Sequence, residues 1–120
     1  FITRKMSSHQ VLDRLEEILT AYFSSNDLAS KGLPTVQYVS DQLHLSPSYL
    51  SNLLKVLTGQ STQQHIHLKL VDLAKEKLST TSLSISEIAY ELGFDYPQSF
   101  SKLFKTKTNM SPLAFRASFN

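Results

Sequence analysis

The sequence predicts an all-α protein of about seven helices, arranged as two helix-turn-helix subdomains joined by a long linking helix. Three observations predict it. Apolar residues recur at i, i+3 and i+4, and runs of alternating apolar and polar residues, the signature of strands, are absent. Only three glycines and four prolines punctuate 120 residues. One pattern is also written twice, as YLSNLLKVLTGQS at 49–61 and SFSKLFKTKTNMS at 99–111.

The first helix is expected from His9 to Ser24, with Val11, Leu12, Leu15, Ile18, Leu19, Tyr22 and Phe23 on one apolar stripe and Asp13, Arg14, Glu16 and Glu17 off it. Ser7 and Gln10 stand at capping-box spacing. NDLASKGLP reads as a loop by composition. Thr35 can cap a short helix, Val36–Leu43. Ser46 and Pro47 suit the N-cap and first position of the next helix, which runs to about Thr58 and is stopped by Gly59. Ser61 with Gln64 is a second capping box and opens the longest helix, Thr62–Ser79. Ser84 with Glu87 is a third, opening a helix at Ile85–Leu92 that Gly93 ends. Asp95 is expected to cap the next helix, which runs to about Thr108, where Asn109 can adopt the left-handed stop. Ser111 and Pro112 begin a last short helix. The expected divisions are 1–61 for the N-terminal helix and first helix-turn-helix, 62–79 for the linking helix, and 80–120 for the second helix-turn-helix.

The two units align residue by residue. Val36, Val39, Leu43 and Leu45 fall on Ile85, Ile88, Leu92 and Phe94 at an offset of 49. Leu50, Leu53, Leu54, Lys55, Gly59 and Ser61 fall on Phe100, Leu103, Phe104, Lys105, Asn109 and Ser111 at an offset of 50, so the second turn is one residue longer. Each unit is a short helix, a tight turn and a second helix. Opposite the apolar stripe, the second helix of the first unit presents Ser48, Ser51, Asn52 and Lys55. That of the second unit presents Gln98, Ser101, Lys102 and Lys105. Short hydroxyls and amides can exchange hydrogen bonds with base edges, and an amide can pair bidentately with adenine. Lysine suits phosphate or guanine, whereas an acid would be repelled by phosphates.

Charge follows the repeat. The net charge of +2 decides little. From Gln42 to Val71, however, there are two lysines, three histidines and no acid, and from Tyr96 to Asn120 there are four cations and no acid. The acids gather at Asp72–Asp95, where five stand against two lysines. Cations that coincide with a repeat point to a polyanionic partner.

ISEIAYELGFDYPQSFSKLFKTKTNMSPLAFR, residues 85–116, resembles the signature of the AraC/XylS family of transcription regulators. It has the IA..LGF helix, an aromatic residue before an FK pair, then SP and a terminal Arg. The resemblance extends from about Val11 to Arg116. Departures are Asn109 in place of a usual glycine, Lys69 in place of a common arginine, Leu54 in place of a common phenylalanine, and the long NDLASKGLP segment. The resemblance implies a homeodomain-like DNA-binding region whose two recognition helices enter successive major grooves of double-stranded DNA and regulate transcription. It implies one base-reading set of Ser48, Tyr49, Ser51 and Asn52, and a second of Gln98, Ser99, Ser101 and Lys102. Lys55 and Lys105, with the helix N-termini at Thr35 and Ser84, are the expected phosphate contacts. It further implies the cytoplasm as location, RNA polymerase as a partner, and an effector-sensing domain upstream in the same protein. The chain begins with Phe1 rather than Met, and a piece of a longer protein is expected.

Other function classes find less support. No catalytic residue, metal or cofactor is expected, and the chain is not expected to be an enzyme. The absence of cysteine excludes a disulfide framework and thiolate metal sites and fits a reducing compartment. His65 and His67 are two apart on a helix and point to different faces, His9 and His44 have no evident partner, and no HExxH-like spacing occurs. No nucleophile elbow surrounds any serine. No apolar run approaches the roughly 18–20 residues of a membrane span, and no signal peptide is visible. No aromatic stacking sheet of the kind that binds RNA is expected. A helical protein–protein interaction module that does not bind DNA is the alternative reading, and a loss of DNA affinity as salt rises discriminates against it.

Overall fold

The structure, a computed structural model, describes residues 6–119. Among them are eight helices: α1 (Ser8–Phe23), α2 (Leu28–Lys31), α3 (Val36–Leu43), α4 (Pro47–Thr58), α5 (Thr62–Thr80), α6 (Ile85–Glu91), α7 (Pro97–Thr108) and α8 (Pro112–Ala117). The eighth helix is α2. It lies inside NDLASKGLP, which composition marks as a loop, and it forms because Leu28 is buried there. A turn this short is set by tertiary packing rather than by its own propensity.

Local chemistry sets the helix ends. Ser7 Oγ accepts from the Gln10 N–H while Gln10 Oε1 accepts from the Ser7 N–H, closing the capping box of α1. The same reciprocal pair forms between Ser61 and Gln64 and between Ser84 and Glu87. At the C-terminal ends, Gly59 (φ 80°) and Asn109 (φ 63°) occupy the left-handed position after α4 and α7, and the N–H of each donates to the carbonyl of Lys55 or Lys105 at 2.8 Å. Asn109 thus fills the place of the glycine in the first unit. The expectation that Asp95 caps α7 is corrected: the N-cap is Tyr96, which makes no side-chain capping bond. The extra residue of the second turn displaces Asp95 one position upstream of the cap.

The chain forms two compact units. One comprises the stretch to Ser24 and Pro34–His65, and the other Ser25–Leu33 and the stretch from Ile66. In the first, α1 packs on α3 and α3 on α4. Leu15, Leu19, Val39, Leu43, Leu50 and Leu54 are buried, and Tyr22 meets Tyr38 edge-on at 5.2 Å. In the second, α6 packs on α7, α7 on α8, and α2 on α6. Phe94, Phe100, Phe104 and Phe115 form a chain of rings with centroids 5.5–6.0 Å apart. Leu45, Leu50, Leu54 and His65 hold the corresponding places in the first unit, so one scaffold is filled with leucines and a histidine in one copy and with phenylalanines in the other. Among the described residues, no helix is long and apolar enough to cross a membrane.

Candidate nucleic-acid interface

Two turns place the second helix of each pair. After α3, His44 is left-handed (φ 58°), and the N–H of Leu45 donates to the Ser40 carbonyl at 3.0 Å. After α6, Gly93 is left-handed (φ 102°), and the N–H of Phe94 donates to the Ala89 carbonyl at 3.0 Å. Both are six-to-one closures of a helix C-terminus, 49 residues apart, so the repeat extends to the hydrogen bonds of the turn. His44 takes this geometry without being glycine, which the sequence pattern did not flag.

In the first unit, Ser46 Oγ accepts from the Tyr49 N–H at 3.1 Å and Pro47 occupies the first position, fixing where α4 starts. From there 3.6 residues per turn distributes the side chains. Leu50 and Leu54 face the core, and Ser48, Tyr49, Asn52 and Lys55 are exposed, with Ser51 half-buried at their edge. In α7, Phe100 and Phe104 face the core. Gln98, Ser99, Lys102 and Lys105 are exposed and Ser101 is half-buried. Each set therefore lies on one outward face, four polar or aromatic groups and a lysine in the first unit, and the same count in the second. Among the described residues, the Asn52, Gln98, Lys55, Lys102 and Lys105 side chains make no hydrogen bond or ion pair within the chain, which leaves their donors and acceptors free for a ligand.

The two helix N-termini differ. Thr35 Oγ1 accepts from the Tyr38 N–H at 2.9 Å, and no acid lies in the first turn of α3. At α6, Ser84 caps in the same way, but the Glu87 carboxylate accepts the Ser84 N–H at 2.8 Å. Those hydrogen bonds hold the Glu87 pKa below the usual carboxylate value. The N-terminus of α6 therefore already carries an anion of its own, while that of α3 does not.

His65 serves the fold. His65 Nε2 lies 2.9 Å from Thr58 Oγ1, a hydroxyl that also bonds the Leu54 carbonyl at the end of α4. Burial lowers the pKa of His65, and burial together with the charge of Lys107 lowers that of His67. Among the described residues, no three His, Cys, Asp or Glu side chains are grouped so as to hold a metal ion. Arg116, the last residue of the 85–116 signature, turns inward: it bonds three backbone carbonyls, those of Leu78, Thr81 and Leu83. One outward residue of α4 was missed by sequence reasoning. Val56 is 83% exposed beside Asn52 and Lys55, although its apolar character next to Leu53 and Leu54 suggests core.

Residues 39–118 match the family described as "Helix-turn-helix domain". The chain is 34% identical over 94 residues to the transcriptional regulatory protein YesN of Bacillus subtilis, which is 77% of this chain and 26% of that protein. It is 38% identical over 79 residues to the arabinose operon regulatory protein of Escherichia coli, which is 66% of this chain and 27% of that one. Its fold is similar to the solved C-terminal domain of the two-component response regulator yesN from Fusobacterium nucleatum, with a TM-score of 0.75 and 27% identity over 89% of this chain and 98% of that one. The chain spans about a quarter of the length of the full regulators it matches.

Proposed function

Since the chain belongs to the AraC-type helix-turn-helix family of transcription regulators, we propose that it binds a specific site in double-stranded DNA by laying α4 and α7 into successive major grooves. The observation that carries this reading is the pair of outward faces on α4 and α7, in register with each other through the repeat and free of acids. A single recognition helix reads only a few base pairs. Two of them about one DNA turn apart (about 34 Å) read a longer, asymmetric site without a second copy of the chain.

Ser48, Tyr49, Ser51 and Asn52 read one block of the site, and Gln98, Ser99, Ser101 and Lys102 read the other. Hydroxyls and amides discriminate base edges in the major groove, and Lys102 suits guanine. Lys55 and Lys105 contact phosphates, which position the protein without carrying sequence information. The free N–H groups at the start of α3, next to Thr35, offer a further phosphate contact. At Ser84 the remaining N–H groups of Ile85 and Ser86 do so against the charge of Glu87. The linking helix is 62–79, between subdomains 1–61 and 80–120. The regulator acts in the cytoplasm, with RNA polymerase as its protein partner, and an effector-sensing domain upstream of this chain governs it.

Selection of duplex DNA from a random pool tests the reading. The expected consensus has two informative blocks about 10 base pairs apart and no two-fold symmetry. A chain that enriches no sequence, or whose affinity does not fall as salt rises, does not bind DNA in this way.

A further inference from the structure

We infer that Val56 is a specificity-determining residue, and that it contacts the C5-methyl group of a thymine in the block of DNA read by α4. The inference rests on the proposed docking of α4 in a major groove. Val56 is the most exposed of the large apolar side chains, at 83%, and Tyr49 is 50% exposed. Seven residues separate them, two turns of helix less about 20°. They therefore stand on one line along α4, about 10.5 Å apart along its axis. Asn52, one turn before Val56, borders that line and is exposed. The apolar strip is thus continuous with the reading face rather than on a separate surface.

A valine this exposed adds little to the core. It leaves most of a branched hydrocarbon in water, and its β-branch makes it a poorer helix former than lysine, glutamate or alanine. Local rules are broken in this way chiefly at functional sites. The strip is also too small for a protein partner: two side chains fall far short of the roughly 800 Å² per partner that a stable protein interface buries. In the major groove the one apolar feature of a base pair is the thymine methyl group, and small aliphatic side chains are its complement. At about 3.4 Å per base pair, Tyr49 and Val56 lie about three base pairs apart along the groove. In α7 the corresponding positions are Ser99 and Thr106, so this valine–tyrosine strip belongs to the first reader alone.

The test replaces each thymine of the selected site, one at a time, with deoxyuridine, which removes only the methyl group. Binding of the wild-type chain and of Val56→Ala is measured on each duplex. The expected result is one thymine in the α4 block at which deoxyuridine weakens the wild type about fourfold. At that position Val56→Ala binds both duplexes equally, and it keeps the wild-type response at every other thymine. Because Val56 is 83% exposed, this substitution should leave the fold intact, and Val56→Thr, which keeps one methyl group and the β-branch, is expected to retain part of the response. If Val56→Ala matches the wild type on every duplex, the inference is wrong while the DNA reading stands. The same holds if the substitution instead abolishes self-association in sedimentation, which would make the strip a contact with a second copy. Failure of the wild type to select any duplex would overturn the DNA reading itself, and this inference with it.

Discussion

The guanidinium of Arg116, on α8, donates through one Nη to the backbone carbonyl of Leu83 at 2.5 Å, 33 residues earlier in the chain. Its Nε donates to the carbonyl of Leu78 at 3.1 Å and its second Nη reaches that of Thr81 at 3.3 Å. These carbonyls belong to the last turn of α5 and the segment after it, where a helix leaves acceptors unsatisfied and the dipole favours a cation. One planar fork thereby fixes the path from α5 to α6, and so the start of the second helix-turn-helix.

Arg116→Ala is expected to lower unfolding stability by about 2 kcal/mol, since hydrogen bonds from a charged donor contribute about 1.5–3 kcal/mol and two of the three bonds, those to Leu78 and Leu83, are partly buried. Arg116→Lys should recover less than half of this, because a single ammonium cannot reach three carbonyls that a fork spans. Urea titration of the three proteins measures it. Equal stability of the Lys variant and the wild type would show that charge alone matters.

Gly93 carries two constraints at once. Its φ of 102° is one that side chains rarely adopt, and a Cβ there would stand 3.0 Å from the backbone carbon of Gly32 and 3.3 Å from the carbonyl oxygen of Leu28. The neighbour is backbone, so it cannot swing aside. Gly93→Ala should cost about 2 kcal/mol or more. Gly59→Ala meets nothing within 4 Å and should cost only the left-handed conformation, about 1 kcal/mol. Gly59→Asn should cost less still, because Asn109 already performs that role in the second unit. Thermal unfolding of the three variants checks the order. A Gly93→Ala protein as stable as Gly59→Ala would mean that α2 does not press on the turn.

His65 makes part of the stability depend on pH. Burial lowers its pKa from the ordinary 6.5, so the unfolded chain takes up the proton first as pH falls. Its contribution is therefore fully present above that ordinary value and declines below it. His65→Phe puts at this position the residue that the second unit has at Phe115. The variant should show a shallower fall in melting temperature from about pH 8 to about pH 5 than the wild type. The fall should not vanish, because the pKa of His67 is lowered as well. Parallel curves for the two proteins would remove His65 from the account.

What could be read from the sequence was what local chemistry decides. Three capping boxes, the serine–proline starts and the Gly59 and Asn109 stops depend on residues within a few positions of each other, and all appear as expected. The outward polar faces of α4 and α7 were legible because a helix of known start assigns each side chain its direction. The short α2 was not legible, since its reason is Leu28 packing within a unit built mostly from residues 40 positions later. Asp95 was misplaced because one inserted residue changes which position caps, and capping propensity does not count insertions. Arg116 stood in the pattern, but its three carbonyl partners lie more than 30 residues away. Val56 was hidden by its own apolarity.

Lys55 and Lys105 should supply affinity more than specificity. Each is exposed, one turn past Asn52 in α4 and one turn past Lys102 in α7. Lys55→Ala and Lys105→Ala should weaken binding by nearly the same factor on every duplex and lower the slope of log K against log salt by about one unit. A changed base preference at an unchanged slope would make either lysine a reader instead.

Asn52 and Gln98 should each read bases in one block of the site. Both side chains are exposed, and neither is engaged within the described chain, so each amide can present an acceptor and a donor together. That pair of groups matches adenine in the major groove. The helices that carry them differ in one respect. α4 begins at a side-chain cap on Ser46, while α7 begins at Tyr96 without one. Asn52 therefore sits on the more tightly fixed helix start, and its loss should be felt at a single base pair. Asn52→Ala is expected to relax preference within the α4 block by about 1–3 kcal/mol and to leave the α7 block intact. Gln98→Ala should do the reverse. Measuring each variant against every single-base change of the selected site separates the two. A substitution that weakens all of these duplexes by one common factor would show that its amide touches only the backbone, and the assignment of that block would then fail.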